Sequence, residues 1–154
     1  MTWVRLHPQD FTRVSVDEGG KYLFSAEYSG SWFEVFPILP NGWLGPAVFQ
    51  MQTIDNVGPT RATNAPPGSL AFSAHEGPNG HPHQMESDPS NQWVVGTDAG
   101  QDQIYVWEFP PGGIPPLSLA AIPFVYTPPG DGPGTSRSTR TGCGCTPFKK
   151  RRRP

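Results

Sequence analysis

The sequence has little charge, and its basic residues are nearly absent from most of its length. Charged residues make up 16% of the 154 residues, and the formal net charge is -2. All 13 acidic groups but only 4 of the 11 basic groups lie in residues 1–133, so this body carries -9 and the last residues carry the positive charge. So few charges argue against a long salt-bridged helical fold. Because an acidic body repels phosphates, we predict no nucleic-acid partner.

Cysteine and long apolar runs are also missing from the body. The only cysteines, Cys143 and Cys145, lie near the end of the chain, so no disulfide framework holds the body, and their close spacing does not fit a standard zinc pair. No apolar run approaches the roughly 20 residues that span a bilayer. The start, MTWVRLHPQD, lacks the apolar core of a secretion signal. We therefore predict a cytoplasmic protein with no membrane partner.

Glycine and proline are abundant, with 18 and 20 residues, which makes low complexity an alternative. Aromatic residues reach 12%, however, which is too many for a purely solvated chain. Helical periodicity is poor, whereas short β-branched and aromatic runs alternate with Gly, Asn, Asp and Ser turns. This pattern predicts β-strands.

Two stretches of the chain superpose without a gap at an offset of 71 residues. The first reads VSVDEGGKYLFSAEYSGSWFEVFPI and the second QMESDPSNQWVVGTDAGQDQIYVWEF, so that Asp17 falls on Asp88 and Glu27 on Asp98. Each is followed by a fourth strand candidate, at residues 45–54 and 117–126. Repeated four-stranded antiparallel units are typical of β-propellers. The sequence thus predicts an all-β fold, a partial β-propeller of about two four-stranded antiparallel blades.

The same pattern divides the chain into a propeller part, residues 1–133, and a tail, residues 134–154. The first blade covers about 10–55 and the second about 81–127. Between them lies an insertion, 56–80, expected over the mouth of the central channel, with a floppy insertion without function as the alternative. Two blades cannot close a wheel, so we expect an unstable monomer that associates with itself through exposed blade edges.

The repeated stretches resemble blades of the seven-bladed lactonase family, which includes bacterial-type 6-phosphogluconolactonases and fungal carboxy-cis,cis-muconate cyclases. The first stretch, followed by GWLGPAV, is similar to one blade, and GHPHQMESDPSNQWVVGTDAGQDQIYVWEF is similar to the next. The family shows a His-x-His or a lone His five residues before an Asp-Pro turn. This chain departs from the family at Glu27, usually Asn, and at Ala99, usually Leu.

The resemblance also suggests an origin for the basic tail. The family's next blade opens with a segment like GPRHFAFHPDG, whereas this chain continues from Pro133 with GTSRSTRTG. A DNA sequence encoding GTSRSTRTG, with one C placed in front and read in another frame, spells RHFAFHPDG. We therefore expect residues 134–154 to be an out-of-frame, disordered terminus, and its KKRRR run to have no selected role in nucleic-acid binding or nuclear import.

Histidines and carboxylates cluster before the second repeat, and three interpretations of them stay open. The resemblance implies that His83 is the active-site histidine and that His81 completes the His-x-His; imidazoles move protons near neutral pH. In a metal site, the two histidines would act with His75 or Glu86 as ligands. In the third interpretation, the histidines are solvated loop residues. We predict His83 and His81 as catalytic residues, with no metal and no cofactor.

Glu27 and Asp98 end equivalent strands, and the repeat places both toward the channel mouth. We predict that they bind substrate, with capping of their own turns as the alternative. The resemblance implies a further Arg and Glu from the next blade, but Gly134 stands at the Arg position and the Glu falls in the tail.

The implied activity is opening of a sugar-acid lactone such as 6-phosphogluconolactone, with a small lactone or sugar acid as the partner. We expect this chain itself to be inactive. The alternative is a non-catalytic propeller segment for protein interaction or assembly.

Overall fold

A computed structural model of the chain describes residues 11–53, 80–112, 116–128 and 131–134, and these form two four-stranded sheets. Sheet one contains β1 (Phe11–Val16), β2 (Tyr22–Glu27), β3 (Trp32–Pro37) and β4 (Phe49–Gln52). Sheet two contains β5 (Pro82–Ser87), β6 (Trp93–Asp98), β7 (Gln103–Glu108) and β8 (Ser118–Tyr126). Neighbouring strands are antiparallel and follow chain order, which confirms the predicted partial propeller.

Several predicted features lie outside the described residues. These are the insertion apart from Gly80, the tail apart from Gly134, and His75, one of the two candidates for a third metal ligand. Within the described ranges, no helix is long and apolar enough to cross a membrane.

The 71-residue repeat extends to the backbone conformation. Left-handed residues occur at Gly20 and Asn91, with φ of 65° and 57°, and again at Ser31 and Asp102, with φ of 62° and 53°. Both pairs are separated by 71 positions. Asn and Asp tolerate this conformation better than other non-glycine residues because their short polar side chains bond locally. The first two hairpins of the two sheets therefore have matching turns.

The fourth strand of sheet one is shorter than the predicted 45–54. Pairing with β3 begins only at Phe49, because Gly45 is used in a turn, where its N–H donates to the Pro37 carbonyl at 2.8 Å. A Cβ at residue 45 would approach Pro37 Cγ to 2.8 Å. The chain thus needs glycine at this bend, which delays the strand.

The core lies between the two sheets, and half of its buried apolar residues are aromatic. Phe33 packs edge to face on Trp107, with ring centroids 5.4 Å apart, and also on Tyr105 at 5.6 Å. Gly96 makes this possible, because a Cβ there would come within 2.8 Å of Trp107 and 2.9 Å of Phe33. The buried apolar members of the core are Phe24, Ala26, Phe33, Val35, Met85, Val94, Tyr105, Trp107, Phe109 and Leu117.

The face of sheet two that points away from sheet one, here called the outer face, is half open, meaning that its apolar side chains are only partly buried. Trp93 and Val95 follow Tyr22 and Phe24 by 71 residues, and strand alternation places them on the face that points away from sheet one. Phe24 is fully buried against sheet two, whereas Trp93 is 40% exposed. Large exposed apolar residues also lie on β8: Leu119, Ile122, Phe124, Val125 and Tyr126.

Asp17 joins the hairpin turn of sheet one to sheet two. Its carboxylate accepts backbone hydrogen bonds from Gly19, Lys21 and Tyr22, and the Asn91 amide donates to it from sheet two at 3.1 Å. Asp88, its equivalent in the second repeat, accepts the corresponding bonds within its own turn. Burial alone would raise the pKa of Asp17, but these hydrogen bonds outweigh it and the pKa is lowered.

We predict that Asp17→Ala lowers the free energy of unfolding by about 1–3 kcal/mol at pH 7, because several N–H donors lose their acceptor. The lowered pKa of Asp17 means that its contribution is present above the unfolded carboxyl pKa and is lost as the pH falls through the folded one. Urea unfolding at pH 7 and pH 3, at one protein concentration, measures both effects. The exposed Asp131→Ala is the matched control, and equal stability of the two variants at pH 7 would contradict the prediction.

Candidate active site

His83 lies in a β-bulge at the start of β5. In the β5–β6 ladder, Pro82 pairs with Asp98 but Gln84 pairs with Thr97, so the register shifts by one residue at His83. The same register shift occurs between Phe11 and Arg13 of sheet one, 71 residues earlier. Bulges redirect side chains and are common beside active sites. The bulge is therefore a feature of the repeat, and histidine at this place belongs to the second repeat alone.

His81 lies immediately before β5 and is buried, with 4% of its surface exposed. Its backbone N–H donates to Asp98 Oδ1 at 2.8 Å, and its carbonyl accepts from Ala99 N–H at 2.9 Å. Its ring stacks on Tyr28 of sheet one, with centroids 4.5 Å apart and planes 22° apart. His81 Nδ1 is 3.2 Å from the Tyr28 carbonyl oxygen. His81 is thus held by both sheets.

His83 is partly exposed, and its ring lies between two other groups. The Tyr28 ring meets it edge to face, with centroids 6.1 Å apart and an angle of 82°. Gly134 covers the imidazole, since a Cβ at residue 134 would be 3.5–3.6 Å from Cε1, Nε2 and Nδ1. The buried Thr97 hydroxyl holds Gly134 there by donating to its carbonyl at 2.6 Å. His83 is therefore packed by two segments that are distant from it in sequence, at Tyr28 and Gly134.

Asp98 is fully buried and organises the turn beside His81. Its Oδ1 accepts from Gly100 N–H at 2.9 Å and from Gln101 N–H at 3.0 Å, in addition to His81 N–H. Burial raises the pKa of Asp98, although hydrogen bonds from His81, Thr53, Gln101 and Gly100 oppose it. The carboxylate thus caps its own turn, as in the alternative considered from the sequence.

Glu27 is also fully buried, at the end of β2. Its carboxylate lies against Gly30 in the β2–β3 turn, where it leaves no room for a Cβ. Both predicted substrate-binding carboxylates are therefore directed at the turns of their hairpins.

The predicted residues come together only in part. His81, His83 and Asp98 share one end of sheet two, and the ring of Tyr28 from sheet one contacts both imidazoles. Within the ranges that the structure describes, no three His, Cys, Asp or Glu residues are grouped so as to hold a metal ion.

Three residues of the site were not predicted from the sequence as its members: Tyr28, Thr97 and Gly134. For Tyr28 the sequence has a usable signal, since it is the aromatic residue directly after the strand that ends at Glu27.

The aromatic residues of sheet two differ in burial. Tyr105 and Trp107 lie in the core with 9% and 1% exposure, while Trp93 is 40% exposed on the outer face. The Tyr105 hydroxyl donates to Gln101 Oε1, and burial, with the nearby Asp98 as a smaller cause, raises the pKa of Tyr105. Tyr105 thus joins the core to the Asp98 turn.

Two adjacent four-stranded sheets with matched hairpins, and polar residues gathered at one end, define this chain as a segment of a β-propeller. A protein-family model described as "Lactonase, 7-bladed beta-propeller" matches residues 4–135. The chain belongs to this lactonase family. A comparison with curated proteins gave no match.

Solved structures of bacterial proteins show the same fold. A putative 6-phosphogluconolactonase from Bacteroides fragilis is 22% identical (TM-score 0.62), and its likeness shows the fold alone. The periplasmic gluconolactonase PpgL of Pseudomonas aeruginosa is 29% identical (TM-score 0.61), and a putative 6-phosphogluconolactonase of Bacteroides uniformis is 25% identical (TM-score 0.62). Each alignment covers 80% of this chain but only 31–32% of the other. The chain spans about a third of the structures that it matches.

We predict that Asp98→Ala destabilises the chain by about 1–3 kcal/mol, because three backbone N–H groups lose their acceptor, whereas Asp98→Asn keeps an oxygen for them. Because the pKa of Asp98 is raised in the folded state, its ionisation costs stability as the pH rises through the carboxyl range. The stability of Asp98→Asn relative to the wild type should therefore increase from pH 3 to pH 7. Urea unfolding at both pH values measures this, with Asp131→Asn as control. Equal losses in the two Asp98 variants would refute the capping role.

Proposed function

We propose that this chain carries the proton-transferring residues of a sugar-acid lactone hydrolase. His83 is the catalytic base, and His81 supports it. The observation that carries the proposal is the bulge at His83, which presents one partly exposed imidazole at the polar end of a lactonase-family sheet. The names of the related structures, gluconolactonase and putative 6-phosphogluconolactonase, support a sugar-acid lactone as the substrate class. We propose that the reaction needs no cofactor.

The proposed chemistry uses one imidazole twice. His83 takes a proton from water as the water oxygen bonds to the lactone carbonyl carbon, and the carbonyl oxygen becomes an oxyanion. As the carbonyl re-forms, the bond between this carbon and the ring oxygen breaks, and the imidazolium returns the proton to the ring oxygen. An imidazole is suited to both steps because it titrates near neutral pH. The products are a sugar acid and a regenerated imidazole.

Among the described residues, Gly134 stands where the lactonase resemblance implies an arginine for the oxyanion step. Stabilisation of a developing oxyanion is commonly the largest contribution to acyl transfer. Gly134, at the position where the family resemblance implies an arginine, presents only backbone to His83. Glu27 and Asp98, proposed to bind substrate, are both buried at turns. We therefore propose that the isolated chain binds a sugar acid weakly and does not turn over a lactone.

The test compares acid release from glucono-δ-lactone and from 6-phosphogluconolactone with and without the purified chain, in a pH-stat. We expect the rates to equal spontaneous hydrolysis. Gluconate or 6-phosphogluconate should still shift the NMR signals of His83 and Tyr28, and the shift at Tyr28 should disappear in His83→Ala but persist in the control Tyr126→Phe. Turnover that is lost in His83→Ala would show that the chain is active by itself. No shift with either sugar acid would refute the lactonase assignment of this site.

A second candidate function, a non-catalytic segment for assembly, rests on the half-open face of sheet two. Trp93 is 40% and Val125 52% exposed on this face, whereas the equivalent face of sheet one is buried by another sheet. Exposed apolar faces of this kind are usual at association sites. We propose that the chain associates with itself through this face, in the cytoplasm. The Pseudomonas relative is periplasmic by its name, and cell fractionation distinguishes the two compartments.

We predict that light scattering during size-exclusion chromatography shows a mass above that of the 16.8 kDa monomer at micromolar concentration. The double variant Trp93→Gln, Val125→Thr should shift the population toward the monomer, because both changes replace apolar surface on the open face. The control Val14→Thr alters a residue that is equally exposed, at 52%, on sheet one. A sharply melting wild-type monomer at low concentration would contradict this candidate.

A further inference from the structure

The two histidines lie two residues apart and meet the same aromatic ring, yet their surroundings differ. His81 is 4% exposed, and its Nε2 is buried without a hydrogen-bond partner in the described part of the chain. His83 is partly exposed. Two imidazoles so close together would compete for one proton if both were accessible. The structure separates them, and Tyr28 is the residue that touches both.

The backbone of Tyr28 determines the tautomer of His81. Its carbonyl oxygen lies 3.2 Å from His81 Nδ1. A carbonyl oxygen only accepts hydrogen bonds, so Nδ1 must carry the proton. Neutral His81 is then the Nδ1–H tautomer, with the lone pair on the buried Nε2. That lone pair is shielded from any substrate in solution.

The side chain of Tyr28 holds the two rings in different orientations. It stacks on His81 at 22°, with centroids 4.5 Å apart, and meets His83 at 82°, with centroids 6.1 Å apart. Stacking keeps the His81 ring from rotating away from the carbonyl, while the edge contact leaves part of His83 uncovered. Tyr28 belongs to sheet one and both histidines to sheet two, so this arrangement depends on the packing of the sheets.

We propose that Tyr28 is the positioning residue of the histidine pair. By holding His81 under its ring as the Nδ1–H tautomer, it leaves His83 as the one imidazole of the pair that exchanges a proton with a substrate. This inference rests on the proposed function and deepens it. The equivalent residue of the second repeat, Ala99, has no ring and is 1% exposed, so the arrangement belongs to this one junction.

The experiment measures the tautomer and the chemical accessibility of both imidazoles and needs no activity assay. Long-range proton–nitrogen NMR correlations of the 15N-labelled chain at pH 8 report the tautomer of each neutral histidine, and we expect His81 as Nδ1–H. Modification by diethyl pyrocarbonate, followed by peptide mass spectrometry, should be at least about tenfold faster at His83 than at His81. Reaction at His81 needs local opening, and a factor of ten corresponds to only ~1.4 kcal/mol of opening free energy.

Variants of Tyr28 separate positioning from general stability. Tyr28→Leu keeps the backbone carbonyl but removes the ring that stops His81 from rotating, so it should give His81 a mixture of tautomers and bring the two modification rates together. Tyr28→Phe keeps the ring and should preserve both wild-type results. The control Tyr126→Leu removes an aromatic residue that is 64% exposed elsewhere on sheet two and should change neither. Equal behaviour of Tyr28→Leu and Tyr28→Phe would overturn the positioning role.

The wild-type chain alone also tests the inference if Tyr28→Leu fails to fold. An Nε2–H tautomer at His81, or equal modification of the two histidines, would overturn it even if sugar acids bind at His83. The predicted tautomer and modification ratio, together with no sugar-acid binding, would support the inference about Tyr28 and refute the proposed lactone chemistry alone.

Discussion

Phe33 and Trp107 pack against each other across two sheets because the residue between them, Gly96, has no side chain. A four-stranded sheet with two apolar faces gains little stability alone, and it becomes stable when a neighbour covers one of them. The close approach at Gly96 sets how near the second sheet lies to the first. It thereby sets the distance between Tyr28 and the two histidines, which are carried by different sheets.

Two buried carboxylates, Asp17 and Asp98, lie at opposite ends of the sheets, and their pKa values are shifted in opposite directions. At one end, hydrogen bonds to Asp17 outweigh burial, and its pKa is lowered, so the charge stabilises the fold at neutral pH. At the other end, burial outweighs the hydrogen bonds to Asp98, and its pKa is raised. A buried acid with a raised pKa is characteristic of functional regions. Ionisation of Asp98 at the histidine end therefore lowers the stability of the fold, whereas ionisation of Asp17 at the opposite end raises it.

Sheet two has one apolar face buried against sheet one and one apolar face that is partly exposed. The face of sheet one that carries Phe24 is buried by sheet two, while the equivalent face with Trp93 is partly exposed. Equivalent apolar faces of the two sheets are thus buried in one case and partly exposed in the other. Thr97, on the same face as Trp93, holds Gly134 against His83, so the partly exposed face reaches the candidate site.

The strands, the repeat of 71 residues and the lactonase resemblance were predictable from the sequence, because strand alternation and turn residues act over a few neighbours. The roles predicted for His81 and His83 came instead from the lactonase resemblance, and they stay predictions. Tertiary structure decided that His81 is buried and His83 partly exposed, that Asp98 caps its turn, and that the Tyr28 ring contacts both imidazoles. Tyr28 and His81 are separated by 53 residues, and strand periodicity indicates which side chains share a face but not which faces meet. That pairing follows from the packing of one sheet on the other.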